Sequence, residues 1–166
     1  LWAAHPWGNY IGCYKTLTVN GLPITIGEEH FNQTSIREEE SSMATDPSGK
    51  AIPSIEMMIF IGYDEPRNTY NFDYQAAFTD RGAFTGNTYK FSGDLKLAFE
   101  PYTPFNIDQE IILSPFGHNI LEIKVTRKIV SSEFSGIQNF VYLIERSECS
   151  ETGPVLEKSQ KKIFYP

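Results

Sequence analysis

The segment Tyr70-Asn71-Phe72-Asp73-Tyr74-Gln75-Ala76-Ala77-Phe78-Thr79 repeats with a period of two. Successive side chains on a strand point to opposite faces, whereas a helix would scatter this pattern around its circumference. Tyr70, Phe72, Tyr74, Ala76 and Phe78 therefore share one face, and Asn71, Asp73, Gln75 and Thr79 the other. The segment predicts a half-buried antiparallel strand with an aromatic core face and a wet polar face. Asp80-Arg81-Gly82 then supplies a turn.

The same period recurs along the chain. Strands are expected over Thr88 to Ser92, Asp94 to Glu100, Asn106 to Leu113, Ile120 to Arg127 and Ile137 to Cys149, with turns at Ser92-Gly93-Asp94 and Phe116-Gly117-His118-Asn119. In Ile120 to Arg127, Leu121, Ile123 and Val125 oppose Glu122, Lys124 and Thr126. Ser54 to Gly62 and Phe140 to Ile144 are apolar on both faces, so each needs a second cover. Tyr10 to Val19 and Leu22 to Ile26 flank the hairpin signal Asn20-Gly21. Glu28 to Ser41 fits helix or strand, Ser41 to Pro53 is the longest loop, and Leu156 to Tyr165 is a last strand or a short helix. About eight to ten strands joined mostly by short turns predict an all-β antiparallel meander barrel. At 166 residues with no linker composition, the chain is expected to form a single domain over residues 1–166.

A long meander must protect its edges, and closure pairs the first strand with one of the last. If Tyr10 to Val19 lies antiparallel to Ile137 to Cys149, Cys13 and Cys149 come together and a disulfide becomes available; otherwise both are buried free thiols. Gly8 and Gly12, four positions apart, allow a tight bend at the barrel end.

The opening Trp7-Gly8-Asn9-Tyr10 is similar to the start of the lipocalin and wider calycin pattern, in which a Gly-x-Trp begins the first strand. Here Gly8-x-Tyr10 carries the match, with Tyr in place of Trp and Trp7 just before the glycine. The resemblance implies that Trp7 or Tyr10 plugs the barrel base against an arginine near the last strand, for which Arg146 is the candidate. It also implies an internal cavity for a small hydrophobic ligand. Tyr70, Phe72, Tyr74, Phe78, Phe91, Phe99 and Tyr142 are the candidate lining residues, because pocket walls are mostly apolar with a few oriented polar groups.

Composition sets limits on function. The net charge of −7 argues against a nucleic-acid surface, which needs a basic patch. The longest apolar cluster, Met57 to Ile61, is far shorter than the roughly 18 residues of a membrane-spanning helix. The start Leu1-Trp2-Ala3-Ala4 fits a chain processed by removal of a signal peptide, hence an extracellular or periplasmic location. Nucleotide-binding, zinc-protease and serine-hydrolase motifs do not occur, and no cofactor or metal is expected. Two other functional classes compete with ligand binding. One is a secreted interaction module, an inhibitor or surface component with a filled core. The other is an enzyme using Glu28, His30 or Asp73 as acid–base groups.

Overall fold

The computed structural model describes residues 5–24, 34–45, 51–67, 69–79, 81–96, 104–131, 135–149 and 163–164. They are all-β. A single 3-10 turn, Gly8–Tyr10, precedes β1 (Gly12–Val19), β2 (Leu22–Pro23), β3 (Thr34–Thr45), β4 (Ala51–Asp64), β5 (Thr69–Phe78) and β6 (Ala83–Thr85). Then follow β7 (Thr88–Lys96), β8 (Pro104–Pro115), β9 (Ile120–Val130), β10 (Ser135–Ser147) and β11 (Ile163–Phe164). They form one sheet in the order β11-β5-β4-β3-β1-β10-β9-β8-β7-β6, with β2 attached to β1. Every pairing is antiparallel except the short β11–β5 contact, where Ile163 meets Gln75.

The expected join of first and late strands is present. β1 pairs antiparallel with β10, setting Cys13 opposite Ser147 and Tyr14 opposite Arg146. Cys13 and Cys149 form a disulfide with their Cα atoms 5.1 Å apart. The β1–β2 turn docks on the same strand. Asn20 and Gly21 both have positive φ, as a two-residue hairpin of type I′ requires. Asn20 Oδ1 accepts from the Val141 amide at 2.8 Å, and the Asn20 amide donates to the Val141 carbonyl at 2.7 Å.

Hydrogen-bonded closure stops there. The described sheet ends at β5 with β11 on one side and at β6 on the other, and no ladder joins these ends. Side chains from the N-terminal arm bridge them instead. Trp7, 1% exposed, packs edge-on against Phe78 of β5 and Phe84 of β6, at centroid distances of 5.0 and 5.2 Å, with Tyr89 of β7 at 6.1 Å. Gly82 admits the Tyr89 ring beside its backbone, where a Cβ would overlap the ring atoms. Gly82→Ala is therefore expected to destabilise by about 1–3 kcal/mol through overpacking, measured by denaturant titration.

Several local expectations need correction. Gly8 to Tyr10 turns as a 3-10 helix, so the strand begins at Gly12; a Cβ on Gly8 would meet nothing within 4 Å, and no bend depends on it. Thr34–Thr45 is a strand, and it pairs with β4 as far as Thr45↔Ala51, which shortens the expected long loop. Of the expected strand Leu22 to Ile26, Leu22–Pro23 forms β2 and Ile24 lies beyond it, while residues 25–26 lie outside the described residues. Ser92-Gly93-Asp94 is not a turn, because β7 runs through it in register with Asn106 to Asp108 of β8. The Phe91 ring lies against Gly93, 3.2 Å from where its Cβ would be, and covers the gap left by the missing side chain. The polar face of β5 is not wet: Gln75 and Thr79 are 3% and 0% exposed. Gln75 Nε2 donates to Glu56 Oε1 at 2.8 Å, and Arg37 Nη2 lies 3.3 Å from the same oxygen, so neighbouring strands partner the buried Glu56 carboxylate.

Candidate functional site

Inward positions of β8, β9 and β10 build a mostly apolar lining. Ile107, Ile111 and Leu113 come from β8, Leu121, Ile123, Val125 and Ile129 from β9, and Tyr142 and Ile144 from β10. One cation interrupts it. Arg127 continues the inward series of β9 and is 2% exposed. Its Nε donates to Gln138 Oε1 of β10 at 2.7 Å. Its guanidinium lies 5.6 Å from the Tyr74 ring centroid and 5.1 Å from that of Phe140, within cation–π range. The Tyr74 hydroxyl donates to Gln109 Oε1 at 2.9 Å.

A bulge in β5 brings an acid to the same cluster. The β4–β5 register passes from Ile59↔Tyr74 to Phe60↔Phe72 and so skips Asp73. The extra residue re-aims its side chain, as β-bulges do. Asp73 Oδ2 accepts from the Tyr142 hydroxyl at 2.7 Å. Asp73 thus points inward beside Tyr74 rather than joining an outer polar stripe. Burial, and then the hydrogen bond to Asp73, push the Tyr142 phenol far above its ordinary range; burial does the same to Tyr74. Burial lowers the Arg127 pKa, opposed by Tyr74, Tyr142 and Asp73. Both phenols therefore serve as hydrogen-bond donors at neutral pH, next to a guanidinium that stays charged.

The predicted lining residues divide between core and margin. Tyr74, Phe78 and Tyr142 have no accessible surface, so they pack as core. Tyr74 and Tyr142 belong to the Arg127 cluster, whereas Phe78 belongs to the Trp7 plug. Phe91 is only partly buried, as is Phe140. Tyr70 and Phe72 stand on β5, but their side chains, like all of Phe99, lie outside the described residues. So do Glu28 and His30. The alternation of Leu121, Ile123 and Val125 predicts an apolar inner face, and its continuation by two positions sets the Arg127 charge on that face.

At the opposite end, Arg146 clamps the start of the chain. Its Nη2 donates to the Asn9 carbonyl at 2.6 Å and its Nη1 to the Ile11 carbonyl at 3.2 Å. Its aromatic partner is Tyr14, 5.3 Å from the guanidinium carbon, rather than Trp7 or Tyr10. Gly12 leaves room for this contact, since a Cβ there would lie 2.8 Å from Arg146 Nη1.

His5 holds the seam in a form specific to its neutral state. Nδ1 accepts from the Trp7 amide at 3.0 Å, which leaves Nε2 as the protonated nitrogen facing the Phe78 carbonyl at 3.2 Å. Protonation would set an N–H against the Trp7 N–H. Burial lowers the His5 pKa, opposed by the bond to Phe78 and by the Glu38 charge. The unfolded chain thus takes up a proton that the folded chain refuses, and stability falls as pH drops from about 6.5 towards the lowered value. Melting curves between pH 7.5 and about 5 should show this loss in the native chain and lack that component in His5→Asn; identical slopes would contradict it.

The chain matches no protein-family model, no curated protein and no solved structure significantly. Among the described residues, no helix is long and apolar enough to cross a membrane.

Proposed function

We propose that the protein is a secreted or periplasmic, lipocalin-like binding protein. It takes a small hydrophobic ligand with an anionic head at the end of the sheet where Arg127 lies. The observation that carries this reading is the buried guanidinium stacked on Tyr74 and Phe140. Burying a charge costs several kcal/mol, and apolar replacements of buried ion clusters are often neutral or stabilising. Arg127 is thus a poor device for stability and a good one for orienting an acid. Phe140, partly buried against the guanidinium, and Phe91, partly buried two strands away in the same register row through Gln109, supply the apolar seat. The disulfide fits an oxidising compartment.

Titration with a fluorescent fatty acid and with its alcohol analogue tests the reading. The acid is expected to bind at least about tenfold more tightly, and Arg127→Met to abolish the difference while the protein stays folded. Equal affinities in the native chain would contradict it. A second reading, an interaction module with a solid core, is favoured by the lack of accessible surface on Tyr74, Phe78, Tyr89 and Tyr142. It predicts that neither probe binds.

A further inference from the structure

A cleft of about 220 Å³ opens at the base of the sheet, away from Arg127 and the proposed ligand seat. Asn9 and Tyr10 of the 3-10 turn, Tyr14, Pro115, Leu121 and Arg146 wall it, and the β8–β9 turn forms its rim. Its shape is held by covalent and backbone constraints rather than by loose side chains. Gly117 and Asn119 take positive φ in the turn, the Phe116 amide donates to the Ile120 carbonyl at 2.8 Å, and the Arg146 amide donates to the Asn119 carbonyl at 2.8 Å. The Cys13–Cys149 bridge fixes the strand ends beside it.

Among the described residues of this lining Arg146 alone is charged, within a chain of net charge −7. The neighbouring Glu145 is turned to the other face of β10, where it pairs with Lys15 at 3.0 Å. A guanidinium carries five N–H donors. Two of those on Arg146 serve the Asn9 and Ile11 carbonyls, which set its plane, and its face rests on Tyr14. A further donor meets the Tyr14 hydroxyl, and because the residue is exposed the rest of the guanidinium edge borders the cleft and solvent. Tyr10, Pro115, Ile120 and Leu121 supply apolar surface next to this oriented cation. The volume equals about seven waters in the liquid, too small for a lipid chain and sufficient for a flat molecule of about nine heavy atoms.

We infer that this cleft is a second binding site, selective for a small carboxylate with a flat apolar body. The carboxylate engages Arg146 and the body lies between Tyr10 and the β8–β9 turn.

Sodium benzoate, with neutral benzamide as its control, tests the site by 1H–15N correlation spectra of the full chain. Benzoate is expected to shift the amides of Asn9, Tyr10, Gly117 and Asn119 saturably, with a Kd of about 1 mM or tighter. Benzamide is expected to be at least about tenfold weaker. Arg146→Met removes the preference for the acid. Because that variant also loses the clamp on Asn9 and Ile11, Ile120→Trp serves as the second test: it fills the cleft, keeps the guanidinium and abolishes binding. Arg127→Met leaves benzoate binding unchanged, which separates this site from the one at the other end. Absence of saturable shifts, equal response to benzamide, or survival of the shifts in Ile120→Trp would overturn the inference.

Discussion

Reduction of the Cys13–Cys149 bridge lowers the stability of the chain by about 2–5 kcal/mol, the range for a native disulfide. The sequence separation is 136 residues, so the chain-entropy model gives a value near the upper end, about 5 kcal/mol. For a chain of this size that corresponds to a fall in Tm of roughly 5–20 °C. The effect should arise mainly in the unfolded ensemble, since the β1–β10 ladder from Cys13 to Val19 persists without the bond. Thermal melts with and without reductant check this, with Cys13→Ser/Cys149→Ser as the covalent control. Superimposable melts would contradict it, as would two free thiols in the denatured, unreduced protein.

Trp7→Ala should have a comparable effect by a different route. Trp7 is 1% exposed and contacts rings of β5, β6 and β7, strands at or next to the two ends of the described sheet. Its loss leaves a cavity where no hydrogen-bond ladder compensates, so the expected cost is about 3–5 kcal/mol. The damage should also be local. Amide exchange should accelerate first along β5 and the β6–β7 hairpin, while β8, β9 and β10 stay protected. A loss below about 1 kcal/mol, or uniform acceleration across all strands, would contradict the role of Trp7 as the seam plug.

Most of the β-architecture was legible because one periodicity dominates the chain. The inward series Leu121, Ile123 and Val125 and the Asn20-Gly21 hairpin need only side-chain alternation and backbone preference. The pairing that joins Cys13 to Cys149 followed from the need to protect sheet edges. What was not legible depends on departures from that period. A skipped residue in β5 rotates Asp73 inward, and alternation alone cannot place a bulge. Gly93 resembles a turn residue locally, but its neighbours β8 and Phe91 hold it in a strand. Glu28 to Ser41 fitted either structure, and pairing of Ser35 to Ser41 with β4 decides it for Thr34 onward. The seam between β5 and β6 was also hidden, since it is made by residues of the N-terminal arm far from those strands in sequence.

The proposed binding site at Arg127, Phe140 and Phe91 has one direct test: 1H–15N spectra of the full chain titrated with a medium-chain fatty acid. The account predicts saturable shifts at Phe91, Gln109, Gln138 and Phe140 that vanish in Arg127→Met. Shifts confined to other strands, or none at saturating ligand, would contradict it.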